Sequence, residues 1–81
     1  TNVLILWGGT MHQYFLDSIN TKRKIEIIYL SKNNKTTQRI IRVIKIEENK
    51  ILAFCFMKRQ VRVFIMENIL AAYPFKKGII A

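Results

Sequence analysis

Ile51-Leu52-Ala53-Phe54-Cys55-Phe56-Met57, then Lys58-Arg59, then Gln60-Val61-Arg62-Val63-Phe64-Ile65, reads as two strands joined by a tight turn. The first run is apolar at nearly every position, the pattern of a strand buried on both faces. It is expected to form the centre of the core. The second run alternates, with Val61, Val63 and Ile65 on one side and Gln60, Arg62 and Phe64 on the other. If the valines enter the core, Arg62 faces outward.

Upstream, Thr36 to Glu47 alternates imperfectly over a length that implies a bent strand whose buried face changes partway along. Glu48-Asn49-Lys50 is a short polar turn. Before it, Ile25 to Leu30 is rich in strand-favouring residues, and Ser31-Lys32-Asn33-Asn34-Lys35 has the asparagines and polarity of a hairpin loop. Met11, Phe15, Leu16 and Ile19 fall at helical spacing, so His12 to Lys22 is expected to form one short helix. Downstream, Met66-Glu67-Asn68 interrupts the chain before a fifth strand from Ile69 to Tyr73, which Pro74 ends by removing a backbone donor. A helix followed by five short strands implies a mainly β (α+β) fold, a five-stranded SH3-like or Sm-like barrel.

This domain is expected over residues 11–74. Residues 1–10 have neither helical nor alternating periodicity. They read either as an atypical extension ahead of a natural start at Met11 or as an N-terminal strand. Residues 75–81 read as a basic and apolar tail.

An 81-residue chain that is 51% hydrophobic and 23% charged is long enough for one domain with a modest core. Its 14 basic and 5 acidic residues give a net charge of +9, which attracts phosphate-rich partners. The single cysteine, Cys55, excludes a disulfide within the chain, and a reducing, cytoplasmic location is expected. No apolar run is long enough to span a membrane.

Catalysis has little to draw on. The one histidine, His12, has no evident nucleophile or carboxylate partner, and Asp17, Glu26, Glu47, Glu48 and Glu67 are scattered or lie in turns. One Cys and one His cannot complete a zinc site, and Gly8-Gly9 lacks the lysine of a phosphate loop. No enzyme activity, metal or cofactor is therefore expected. Basic residues interleaved with strands and aromatics, including Arg39, Arg42, Arg59 and Arg62, instead have the composition of a surface that follows a phosphate backbone.

Lys24-Ile25-Glu26-Ile27-Ile28-Tyr29, Gln38-Arg39-Ile40-Ile41, Ala53-Phe54-Cys55, Val61-Arg62-Val63-Phe64 and Glu67-Asn68-Ile69-Leu70 together resemble the WYL domain family, from about Ile19 to Pro74. The small free-standing form found in Bacillus-like bacteria is the nearest likeness. The resemblance implies an Sm-like barrel of the kind attached to bacterial transcription regulators, sensing nucleic-acid or nucleotide-like ligands. It makes Tyr29 the strand-one tyrosine, Arg39 the strand-two arginine, and Arg62 with Phe64 an Arg-x-Phe pair. These four, with Arg42, are the expected ligand-binding residues. The chain departs from the family where the Trp-Tyr-Leu tripeptide is Asn49-Lys50-Ile51, where Val43 replaces a proline, and where Asn68 replaces a basic residue.

The expected function is a non-enzymatic sensing module that binds single-stranded nucleic acid or a nucleotide, in transcriptional regulation. One short helix cannot supply a helix-turn-helix, so regulation implies direct binding or a partner regulator. The alternative is a protein-interaction module whose strand edge pairs with another copy or a partner protein. Membrane-surface binding through Lys76-Lys77 is a weaker third reading, because a peripheral anchor needs more than two cations and a short apolar tail.

Overall fold

The computed structural model describes the backbone of residues 2–75 and the side chains of residues 11–75. A helix, α1 (Asn2–Thr21), precedes β1 (Ile25–Leu30), β2 (Thr36–Ile46), β3 (Lys50–Cys55), β4 (Gln60–Ile65) and β5 (Ile69–Pro74), with a 3-10 turn at Met66–Asn68. Residues 2–10 thus continue the helix backbone and form no strand. Of the C-terminal tail expected over residues 75–81, residues 76–81 lie outside the described residues.

The strands form one antiparallel sheet in the order β4-β3-β2-β1-β5. The expected barrel is therefore open: β4 and β5 are the two edges of the sheet. The middle strand is β2, not β3. It pairs with β1 through Ile41↔Ile25 and with β3 from Ile41↔Cys55 onward, and an irregularity between Val43 and Lys45 shifts its register. This bulge explains the imperfect alternation, because Ile41 and Val43 are buried before it whereas Ile46 is the partly buried residue after it.

One face of the sheet holds the core, built from Ile25, Ile27, Ile41, Val43, Ile51, Ala53, Cys55, Phe64, Ile69 and Ala72, with Phe15 contributed by the helix. β3 alternates between buried Ile51, Ala53 and Cys55 and half-buried Leu52 and Phe54, so it is not buried on both faces. No other element among the described residues covers its outer face, which leaves Phe54 outside the core, packed edge to face with Phe56. In β4 the expected faces are reversed. Phe64 is 2% exposed, while Val61 and Val63 are 51% and 52% exposed. The alternation is real, but an edge strand with an uncovered outer face can leave small aliphatics in water while its one aromatic fills the core.

The turns follow their local chemistry. The Ser31 N–H donates to the Lys35 carbonyl, and Asn34 adopts φ 60°, a left-handed angle that asparagine tolerates better than most residues. Arg59, in the β3–β4 turn, has φ 56°. At the end of α1 the Lys22 N–H donates to the Ser18 carbonyl.

The helix packs through Met11, Tyr14, Phe15, Ser18 and Ile19, an i, i+3, i+4, i+7, i+8 stripe. Leu16, expected on that stripe, is 41% exposed. Ser18 is the fully buried polar residue of the interface. Its hydroxyl donates to the Arg23 carbonyl at 2.7 Å and accepts the Val43 N–H at 2.9 Å. Val43 lies past the last β1–β2 pair, so its N–H on that side has no strand partner and the helix provides one. Replacing Ser18 with alanine strands two backbone groups. It is expected to cost about 1–3 kcal/mol, measured as a lower denaturant midpoint, whereas Leu16→Ala on the exposed side leaves the midpoint nearly unchanged.

Candidate ligand-binding cleft

The sheet curls strongly enough for β4 to meet β1 across its concave face, although two strands separate them. The Tyr29 and Phe64 rings pack edge to face with centroids 5.0 Å apart. The Ile65 N–H donates to Tyr29 Oη at 3.0 Å, so this edge amide is directed at β1 and not at β3. Between these strands lies a cleft of about 540 Å3, bounded by Tyr29 and Leu30, the loop residues Ser31, Lys32 and Asn33, Arg39, the Arg62–Ile65 edge and Asn68. It opens on the concave side of the sheet beside the edge strand β4.

Registers place its two arginines on the core side of the sheet. Arg39 pairs with Ile27, and Arg62 with Ala53. Both therefore share the face of Ile41 and Phe64, but they lie where the core ends and water begins. Arg62 consequently faces out by a different route from the one alternation implied: it sits on the same side as buried Phe64. The Arg39 Nε–H donates to Thr37 Oγ1 at 3.2 Å, and the Thr37 hydroxyl donates to the Tyr29 carbonyl at 3.3 Å. The Arg39 guanidinium also lies 6.0 Å from the centroid of the Phe64 ring, within cation–π range. One edge of this guanidinium is thus fixed through Nε, and no hydrogen bond among the described residues engages its terminal amino groups.

The cleft lining contains Arg39, Arg62 and Lys32 and no acidic residue. Among the described residues the ion pairs are Lys45–Glu47 and Lys50–Glu47, on another part of the sheet. Arg62 pairs with neither Glu26 nor Glu67. Three uncompensated cations around a partly enclosed space raise the local positive potential and favour a compact anion. Arginine adds planar, multi-donor geometry suited to phosphate oxygens.

The structure brings together Tyr29, Arg39, Arg62 and Phe64 and separates Arg42 from them. Arg42 pairs with Phe54 on the outer face. Phe64 is the floor of the cleft, its ring enclosed by the core, so it supports Tyr29 and Arg39 and offers no open face for a base. Lys32, Asn33 and Asn68 join the lining although sequence reasoning saw only a turn and an interruption there. The clustering of Lys32 and Asn33 in a loop directly after Tyr29 was the available signal. A second concavity, of about 460 Å3 between α1 and the start of β1, includes Asp17 as well as Arg23 and Lys24. Lys24 is engaged there, with its Nζ 4.5 Å from the Phe56 centroid and 5.7 Å from that of Phe75.

Among the described residues no group of His, Cys, Asp and Glu is arranged to hold a metal ion, and no helix is long and apolar enough to cross a membrane. Neither a protein-family model nor a curated protein matches the chain. Its fold is similar to part of a solved structure of proteasome accessory factor B/C (PafBC) of Arthrobacter aurescens. The TM-score is 0.70 at 19% identity over 86% of this chain. The chain spans 11% of the length of that protein.

Proposed function

We propose that the chain is a WYL-type module that binds an anionic ligand, single-stranded nucleic acid or a nucleotide, in the cleft between β4 and β1, and acts by binding rather than by catalysis. The observation that carries this reading is the convergence of Arg39, Arg62 and Lys32 on one concavity without a carboxylate. The fold shared with PafBC supports a WYL-like architecture. Within this reading the sheet is an SH3-like or Sm-like barrel left open along one seam, forming a single domain over residues 11–74 that works in transcriptional regulation in the cytoplasm.

The geometry favours phosphate contacts over base stacking. Phe64 is buried, and Tyr29 is held by Phe64 on one side and by the Ile65 N–H at its hydroxyl. Affinity carried by cation–phosphate contacts falls steeply with salt. Protein purified at low salt is expected to carry nucleic acid, seen as a raised ultraviolet absorbance ratio that a high-salt wash returns to the value for protein alone. An absorbance ratio that is normal at low salt, or that no wash changes, contradicts the proposal.

A further inference from the structure

The outer face of the sheet carries a second surface of different chemistry, whose strip meets the cleft at Val63. Registers align Arg42, Phe54 and Val61 in one row across β2, β3 and β4, and Lys45, Leu52 and Val63 in the next. Leu52 and Phe54 are half-buried, and Val61 and Val63 are about half exposed. Met57, at the start of the turn into β4, is 66% exposed. The result is a contiguous aliphatic and aromatic strip with a cation at one end of each row. The helix packs on the core face against β2, β5 and β1, and no other element among the described residues lies over the outer face of β3 and β4.

We propose that this face docks an acidic amphipathic helix of another polypeptide, with apolar side chains against Leu52, Phe54, Val61 and Val63 and carboxylates towards Arg42 and Lys45. A sheet with one helix-covered face is completed most simply by a helix on the other, and an exposed apolar strip on an edge strand is a liability unless it is covered. Charge selects the occupant. Arg42 forms no ion pair among the described residues, while Lys45 and Lys50 share the single carboxylate Glu47 at the Leu52–Val63 end of the strip, which leaves that end net positive. The acid on this face of β1, Glu26, pairs with Ile40 and Tyr73, away from the strip. A second copy would bring +9 against +9 and set like charges opposite one another. Nucleic acid gains little from valine and leucine, and the ring in the strip, Phe54, is half-buried and packs edge to face with Phe56 at 5.0 Å between centroids. Stable binding to a membrane surface takes an amphipathic helix or lipid chain, or several cations together, and this strip has neither. This surface does not depend on the cleft reading.

The test uses the full chain and a fluorescent helix-forming peptide with leucine on one face and glutamate on the other. Controls are a scrambled isomer of the same composition, a single-stranded oligonucleotide and phosphatidylserine vesicles. The amphipathic peptide is expected to bind at least roughly tenfold more tightly than its isomer, a difference too large to come from net charge alone. Exchanging Val61, which lies outside the cleft lining, for threonine, which is compatible with a strand, is expected to reduce that preference severalfold while the melting temperature and oligonucleotide affinity stay as in wild type. Arg42→Glu should weaken the peptide and not the oligonucleotide. Equal binding of the two peptides, or an undiminished preference in the valine variant, overturns the proposal. Self-association or vesicle binding that the valine variant abolishes overturns it in favour of a second copy or a lipid surface.

Discussion

Phe64→Ala is expected to leave the protein largely unfolded at ordinary temperature. Phe64 is 2% exposed, faces Ile51 across the β3–β4 pair, and packs edge to face on Tyr29. Truncating a buried phenylalanine costs about 3–5 kcal/mol in lost transfer energy and cavity formation. Whole domains are stable by only about 5–15 kcal/mol, and a domain of this size sits near the lower end. The loss also removes the surface against which Tyr29 and the Arg39 guanidinium are held, so residual folded protein should bind anions poorly. Phe54→Ala is the informative partner. Phe54 is half-buried on the uncovered face, and its cost should be smaller in proportion to the area it hides. Urea denaturation of the two variants decides which face holds the core. A large loss for Phe54→Ala beside a near-native midpoint for Phe64→Ala would mean that the faces of β4 have been assigned the wrong way round.

The second large effect concerns binding. The double substitution Arg39→Gln with Arg62→Gln is expected to lower affinity for a short single-stranded oligonucleotide by roughly a hundredfold or more, because a hydrogen bond to a charged group contributes about 1.5–3 kcal/mol. Stability should change little. Arg62 is exposed, and although Arg39 donates to Thr37, glutamine can still pack there. Arg42→Gln serves as the internal control. It removes the same charge from the outer face, where it is not part of the cleft, so it should affect oligonucleotide binding only through the weak, screened field of one distant charge. Fluorescence anisotropy at low salt measures all three variants. Similar losses for Arg42→Gln and Arg62→Gln would mean that net charge and not the cleft governs binding.

Much of this fold is legible from the sequence because its local signals agree with one another. The loop Ser31–Lys35, the strand before it, the Pro74 stop and the bend in β2 each follow from backbone chemistry that does not depend on distant packing. The faces of β4 were not legible. Val61, Val63 and Ile65 make the more apolar side by composition, and only the tertiary arrangement shows that the sheet buries the side carrying Phe64. The helix shows a similar limit. A pattern of apolar residues selects Leu16, whereas packing selects Ser18, whose hydroxyl satisfies a strand amide at a position that no local rule identifies. Of the expected ligand-binding residues, Tyr29, Arg39, Arg62 and Phe64 line one cleft. Arg42 does not, because it lies three residues from Arg39 in an extended strand and so points to the opposite face. Lys32 and Asn33 enter the cleft through the curl of the sheet, which brings their loop towards β4 and is not encoded in either segment alone.

If Arg39 and Arg62 take phosphates in one cleft, the salt dependence of oligonucleotide affinity depends on both of them. A single-stranded ligand loses about 0.7 from the slope of log affinity against log salt for each phosphate contact removed. Titrated at several salt concentrations, wild type should show a steep slope, each single glutamine variant a slope shallower by about 0.7, and the double variant one shallower by about 1.4. Equal affinity and equal slope for wild type and the double variant would contradict the account.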